Sequence, residues 1–472
     1  MLRRLFQFLT GQNHQVLLDA EESVSEVVDP SFVKLNELST IKNINNQSQV
    51  LQVNSEGIFN ENTIPPSVVC REAVLDQSQK VAGYSFTLSR SVNERVRKSS
   101  ELIQRLYDDI LLGNVLRMDL KRLLGHRLAF IPISPSSLDR QPLEQLPREG
   151  IVLVITSLAE LTQQSSAYIA RLTILKSSGF RIGLQGDVTL PSLQPFLDLA
   201  EFVFIDIGSS DLGTIKSRID AISLQVMGKF LVATNIRLLD EFHVSAKLPF
   251  QYFQGTFVSS REEWAMPAMD AGRIKILSLL NLIRQDAENA TIVQTFKQDP
   301  ALSFKVLRYI NSAGFGLATK VSSIEQALLI LGRDNLYRWL TLLLFTSGTG
   351  NALDSALMEN ALVRARLAEL CAKDALPANE RDELFVAGIF SLLDILLRMP
   401  MEKVVEQVSL PSSVVEALLH KSGKYAPYLE LAEACEAFDH ERIVILSNQI
   451  GVDLSEVSIN QTEAIVWAEL AN

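Results

Sequence analysis

Cysteine, histidine and net positive charge are all in short supply in this 472-residue chain, and each shortage removes a class of function. The three cysteines, Cys70, Cys371 and Cys435, are far apart and show no CxxC spacing. Neither a disulfide framework nor a zinc knuckle is signalled, and a reducing cytoplasm is the expected location. The five histidines, His14, His126, His243, His420 and His440, are scattered, so no clustered imidazole ligands for a metal are apparent. With 44 Lys and Arg against 55 Asp and Glu, the net charge is −11, which opposes nonspecific attraction to nucleic acid or an anionic membrane. Long apolar runs are absent too: Trp339 to Phe345 is far shorter than the roughly 18 residues a membrane-spanning helix needs.

What is present reads as globular. Hydrophobic residues make up 47% and charged residues 21%, and the length exceeds one ordinary core, so two folded domains are expected. The opening MLRRLFQFLTG has too brief an apolar part for a signal peptide, and no small-residue cleavage site follows. Leu2, Leu5, Phe6 and Leu9 share one helical face beside Arg3 and Arg4, a pattern for docking on the protein itself or for a peripheral membrane or partner contact through residues 1–10. Residues 11–66 lack any sustained period and read as an arm or linker ending at Pro65-Pro66. The expected division is therefore an arm over 1–66, a barrel over 67–264 and a helical domain over 265–472.

From Val68 to Phe257, short β-prone runs alternate with helical patterns. The strands are Val68 to Val74, Val81 to Leu88, Arg127 to Ile133, Ile151 to Ile155, Arg181 to Leu184, Phe202 to Ile205, Phe230 to Ala233 and Tyr252 to Phe257. Repeated strand-then-helix order over this length predicts an α/β fold closed as a (β/α) barrel, with the opening hairpin through Asp76-Gln77-Ser78 as an antiparallel exception. After Trp264 strand signals cease, and amphipathic patterns predict a compact all-α domain, with Ser323 to Leu331 and Asp334 to Phe345 among its helices. Asp299-Pro300 is a helix start, and Asn311-Ser312-Ala313-Gly314 closes that helix.

Certain segments carry a family resemblance. REAVLDQSQKVAGYSF (71–86), GFRIGL (179–184), EFVFID (201–206) and FQGTF (253–257) resemble the EAL family of cyclic di-GMP phosphodiesterases. QDPALSFKVLRYINSAGFG (298–316), SSIEQALLILG (322–332) and FVAGIFSLLDILLRMPMEKV (385–404) resemble the HDOD family, and the domain order is similar to that of bacterial EAL-HDOD signalling proteins. The resemblance implies an EAL-type barrel followed by an HDOD (HD-related) helical domain. It also implies two divalent cations held by clustered carboxylates in the active enzymes. Against that pattern this chain has Ser85 in place of the glutamate of the name motif, Pro132 for an asparagine, Val154 and Ser157 for two glutamates, and Gln185 and Gly186 for paired aspartates. Phe204 replaces a lysine, Thr234 and Arg237 replace two further glutamates, and only Asp206 and Gln254 match.

The barrel is accordingly expected to be degenerate and to need no cofactor or metal. Nearby acids, Asp187, Asp76 and Glu241, are out of register with a metal site. In the tail, HD-type hydrolases need an adjacent His-Asp pair, whereas this chain has only the reversed Asp439-His440. HDOD domains lack those ligands and are regarded as protein-interaction modules. The expectation is a non-catalytic scaffold or regulator whose partners are other signalling proteins, in a pathway related to cyclic di-GMP and so to motility, attachment or biofilm. The alternatives are a non-hydrolysing receptor for cyclic di-GMP or another nucleotide, contacted by Asp206 and Gln254, and a residual phosphodiesterase. Asn311 and Ser312 are the candidate interaction residues of the helical domain.

Overall fold

The computed structural model describes residues 68–88, 95–118, 120–208, 212–222, 226–261, 270–311, 320–346 and 352–471. The expected boundaries at 66/67 and 264/265 both lie outside these residues, as does the amphipathic face of residues 1–10.

Eight strands close into a barrel in sequence order: β1 (Cys70–Asp76), β2 (Val81–Thr87), β3 (Leu128–Ile133), β4 (Ile151–Ile155), β5 (Arg181–Gln185), β6 (Phe202–Asp206), β7 (Phe230–Ile236) and β8 (Tyr252–Gly255). From β2 to β8 neighbouring strands run parallel, while β1 pairs antiparallel with both β2 and β8, so the hairpin exception holds. Among the described helices outside the strands are α1 (Glu101–Arg117), α2 (Leu120–Leu124), α3 (Ser165–Ser177) and α4 (Leu212–Ile222).

Alternation along each strand sorts the side chains into two cores. Val74, Phe130, Val152, Val154, Phe202, Phe204 and Val232 fill the barrel interior as one cluster. Phe130 lies edge-on to Phe202 and Phe204, with ring centroids 5.5 and 5.7 Å away, so the interior is packed and not a channel. Room for Phe204 depends on Gly183, where an added Cβ would stand 2.7 Å from the Phe204 ring.

The outward residues of the strands belong to a second cluster that continues without a break into the helical part. That part comprises α5 (Ala271–Arg284), α6 (Asn289–Lys297), α7 (Pro300–Ile310), α8 (Ile324–Thr346), α9 (Ala352–Cys371), α10 (Ala378–Phe390), α11 (Ser412–His420), α12 (Ala426–Ala437), α13 (His440–Ile450) and α14 (Leu454–Ala471), with two short helices between α10 and α11. The break expected between Leu331 and Asp334 falls at Gly332, whose φ of 71° no ordinary helical residue adopts. Asp299 caps α7 by accepting from the Leu302 N–H at 3.0 Å, with Pro300 in the first turn. Among the described residues no helix is long and apolar enough to cross a membrane.

Candidate functional site

The C-terminal ends of barrel strands are where (β/α) barrels place their chemistry, because the loops there are free of the packing that fixes the strands. At that mouth a cavity of about 80 Å³ is lined by Glu72, Ser85, Thr87, Pro132, Val154, Gln185, Phe204, Gln254 and Phe438. Six of these side chains come from the positions singled out in the sequence, namely Ser85, Pro132, Val154, Gln185, Phe204 and Gln254. Antiparallel pairing sets Glu72 of β1 opposite Ser85 of β2, and the Gln254 side-chain amide donates to a Glu72 carboxylate oxygen at 2.7 Å. Phe204, Val154 and Pro132 supply the apolar part of the lining.

Asp206 is not among the lining residues. It is exposed at the end of β6, accepting from the Gly208 N–H at 2.8 Å and from the Asn235 amide at 3.4 Å. Of the two matched remnants, then, the structure brings Gln254 into the mouth and leaves Asp206 outside the cavity. The other acids shape turns: Asp187 accepts from Thr189, Asp76 from the Lys80 N–H, and Glu241 from the Arg237 and Leu238 N–H groups ahead of its own helix. Magnesium or manganese is held through carboxylates and other hard oxygen ligands. Among the described residues the lining offers one carboxylate, Glu72, beside amides and hydroxyls, and these residues do not fit a pair of divalent cations. Among the described residues no group of three or more His, Cys, Asp or Glu side chains is arranged to hold a metal ion.

Phe438 is the lining residue that the barrel does not supply. It ends α12 in the left-handed region, φ 61° and ψ 31°, where a side chain costs roughly 1 kcal/mol or more relative to glycine. Its N–H donates to the Ala434 and Cys435 carbonyls, and Asp439 caps the next helix through the Arg442 N–H, so the corner is held from both sides.

Beside the mouth, the barrel meets the helices across a buried charge cluster. Glu359 of α9 lies within 3.1 Å of both Arg71 of β1 and Arg127 before β3, with its side chain 2% exposed. The Tyr84 hydroxyl donates to Glu359 and accepts from Arg127, which also pairs with Glu469 of α14. The Arg71 contact is ionic and poorly directed, since its Nη1 makes no hydrogen bond. Burial pushes the Glu359 carboxyl up, but Arg71 and Arg127 outweigh it and hold the group below the usual glutamate range. For the more open Glu469, burial dominates and the carboxyl is raised. A second tie joins Arg261, after β8, to buried Asp394 at 2.6 Å and to the Ser391 carbonyl at 3.0 Å. The three cysteines, distant in sequence, are all buried, and Cys70 of β1 and Cys371 of α9 are near enough to Cys435 of α12 to add to the rise that burial imposes on its thiol.

In the helical domain, the Asn311 side-chain amide donates to the Leu307 and Val321 carbonyls and accepts from the Val321 N–H at 2.8 Å, tying α7 to the segment before α8. Ser312 lies outside the described residues. Asn311→Ala is expected to lower stability by about 1–3 kcal/mol, read from urea denaturation, because buried backbone groups lose their partner.

The sequence reading missed Glu72, Phe438 and Glu359. For Glu72 a signal existed, since it sits two residues before Val74 on the inward face of β1. For the other two, only the fold brings them to the barrel.

Comparison with known proteins places the HDOD domain at residues 266–409. The chain is similar to "Cyclic di-GMP phosphodiesterase CdgJ" of Vibrio cholerae, at 26% identity over 413 residues, spanning 87% of this chain and 94% of that protein. It is also similar to "Uncharacterized protein YuxH" of Bacillus subtilis, at 25% identity over 84% of this chain and 97% of that protein. Among solved structures, "PaMucR Phosphodiesterase, c-di-GMP complex" aligns with 41% of this chain and 96% of its own length, at 14% identity and a TM-score of 0.33. "Structure of EAL Enzyme Bd1971 - cAMP and cyclic-di-GMP bound form" aligns with 40% of this chain and 60% of its own, at 16% identity and a TM-score of 0.32.

Proposed function

We propose that this chain, in which an HDOD domain at residues 266–409 follows a closed barrel, is a non-catalytic regulator in a cyclic di-GMP pathway that acts by docking other signalling proteins in the cytoplasm. The observation that carries this reading is the make-up of the barrel mouth, where among the described residues Glu72 is the one carboxylate in the lining and is engaged by Gln254. Phosphodiester hydrolysis by a pair of metal ions needs several converging acids to hold the ions and form the attacking hydroxide. Ser85, Pro132, Val154, Gln185 and Phe204 at those positions carry no charge, and of the five only Ser85 and Gln185 keep a side-chain oxygen, both neutral. Size argues against a receptor role as well: about 80 Å³ is far below the several hundred that ligand pockets occupy. In this reading Asn311 shapes the helical surface offered to a partner and does not reach the partner through its amide.

The second reading is a residual phosphodiesterase, and what favours it is the similarity to CdgJ, named a cyclic di-GMP phosphodiesterase, over 87% of this chain. Incubating the full chain with cyclic di-GMP and Mn²⁺ separates the two. No linear product over hours and no calorimetric heat from Mn²⁺ or the dinucleotide is the expected result. Turnover that Mn²⁺ stimulates and a chelator abolishes would remove the non-catalytic reading, while heat without turnover would favour the receptor.

A further inference from the structure

Phe438 lies outside the residues matched to the HDOD domain, on a corner that the last helices of the chain contribute. Three observations converge on it. Its side chain lines the barrel mouth although the residue belongs to the helical part, and it is 5% exposed. A bulky aromatic residue holds there a left-handed conformation that glycine or asparagine normally takes, so the position trades backbone ease for the ring. And α12, which it ends, packs directly against β1, the strand that carries Glu72 into the mouth.

We infer that Phe438 is a latch: its ring, lodged over the barrel mouth, couples docking of the C-terminal helices to closure of that mouth, so that withdrawing α12 from β1 uncovers it. Mouth and seam are thus one device. The corner moves as a rigid piece, because Phe438 is bonded back into α12 while Asp439 caps α13. A ring carried on such a corner leaves the mouth only when the helix leaves the strand. Opening of this kind exposes β1 and its neighbours locally, at a free energy below that of global unfolding. The inference does not depend on whether the barrel hydrolyses, binds or ignores a nucleotide.

The cysteines provide the readout. Cys70 on β1 and Cys435 on α12 flank the contact that opens, whereas Cys371 stays inside the helical part, beside Asn460 of α14. In the full chain, labelling with N-ethylmaleimide followed by peptide mass mapping reports each thiol separately. Wild-type protein is expected to label slowly at all three. Phe438→Ala is expected to speed labelling of Cys70 about tenfold or more with Cys371 unchanged. Phe438→Leu, which keeps apolar bulk and serves if the alanine variant folds poorly, is expected to fall between the two. Cys70 labelling that is indifferent to both substitutions overturns the latch. So does a rise of Cys70 and Cys371 in step, since that is loss of the whole fold and not release of one contact.

Discussion

Glu359→Ala is expected to destabilise the full chain by about 3–5 kcal/mol, the range for removing one partner of a buried ion pair. The loss comes less from the attraction forgone than from what stays behind: Arg71 and Arg127 would remain in a dry seam with no carboxylate between them. The Tyr84 hydroxyl would lose its acceptor too. Urea denaturation of wild type and variant gives the difference directly, and a change below about 1 kcal/mol would mean the seam is wet or readily rearranged. Replacing Glu359, Arg71 and Arg127 together with apolar residues of similar size is expected to cost less than Glu359→Ala alone, since the charge then left without its arginine, Glu469, is more open to water than Arg71 and Arg127 in the seam.

The same carboxyl makes the seam sensitive to acid. Glu359 is held below the value it has in an unfolded chain, so the unfolded state binds its proton first as pH falls. Its stabilising contribution is therefore complete above the ordinary glutamate range and declines as pH drops through the lower folded value. Glu469 works in the opposite sense, being raised by burial, but it is more exposed and its share is correspondingly screened. The expected net result is a fall in stability below about pH 4.5 that is smaller in Glu359→Gln, checked by thermal melts across pH.

Phe130→Ala is the second large effect, with an expected loss of about 3–5 kcal/mol from the cavity left behind and the apolar contacts removed. Phe130 is fully buried at the centre of the interior cluster, and Phe202, Phe204 and Tyr252 all meet its ring edge-on. Barrel strands on every side leave little freedom to collapse into the gap. Phe204→Ala is expected to cost less, because Phe204 borders the mouth cavity and water can enter the space it vacates. The urea midpoints of the two variants test that order, and equal losses would argue against the cavity as the cause.

The barrel was largely readable because its strands obey simple rules. Ile151–Ile155 is a short unbroken apolar run with polar neighbours, as a strand buried on both faces must be, and its bounds were those expected. The eighth strand stops at Gly255, short of the expected Phe257, because Thr256–Ser259 turns into a 3-10 helix under the helical part. The final helices were harder. α12 carries Tyr, Leu, Ala and Cys around most of its surface and is buried on several sides, so the contrast between wet and dry faces that marks a surface helix is missing. In α14 the polar Asn460 and Gln461 are buried, which blurs its pattern further. These are the helices that bring Phe438 and Glu469 to the barrel. The substituted positions of the mouth could be read because each sits at a strand end, whereas its roof depends on a contact between residues hundreds of positions apart, which no local pattern encodes.

The order of synthesis gives the unbroken core a further consequence. β1 and β2 leave the ribosome early, yet α9, α12 and α14, which shelter Cys70, Arg71 and Tyr84, emerge far later. Until those helices have been made, the nascent barrel carries an uncovered apolar flank with two unneutralised arginines, a surface suited to chaperone capture and exposed to aggregation. Premature termination anywhere before α14 would leave part of that flank bare.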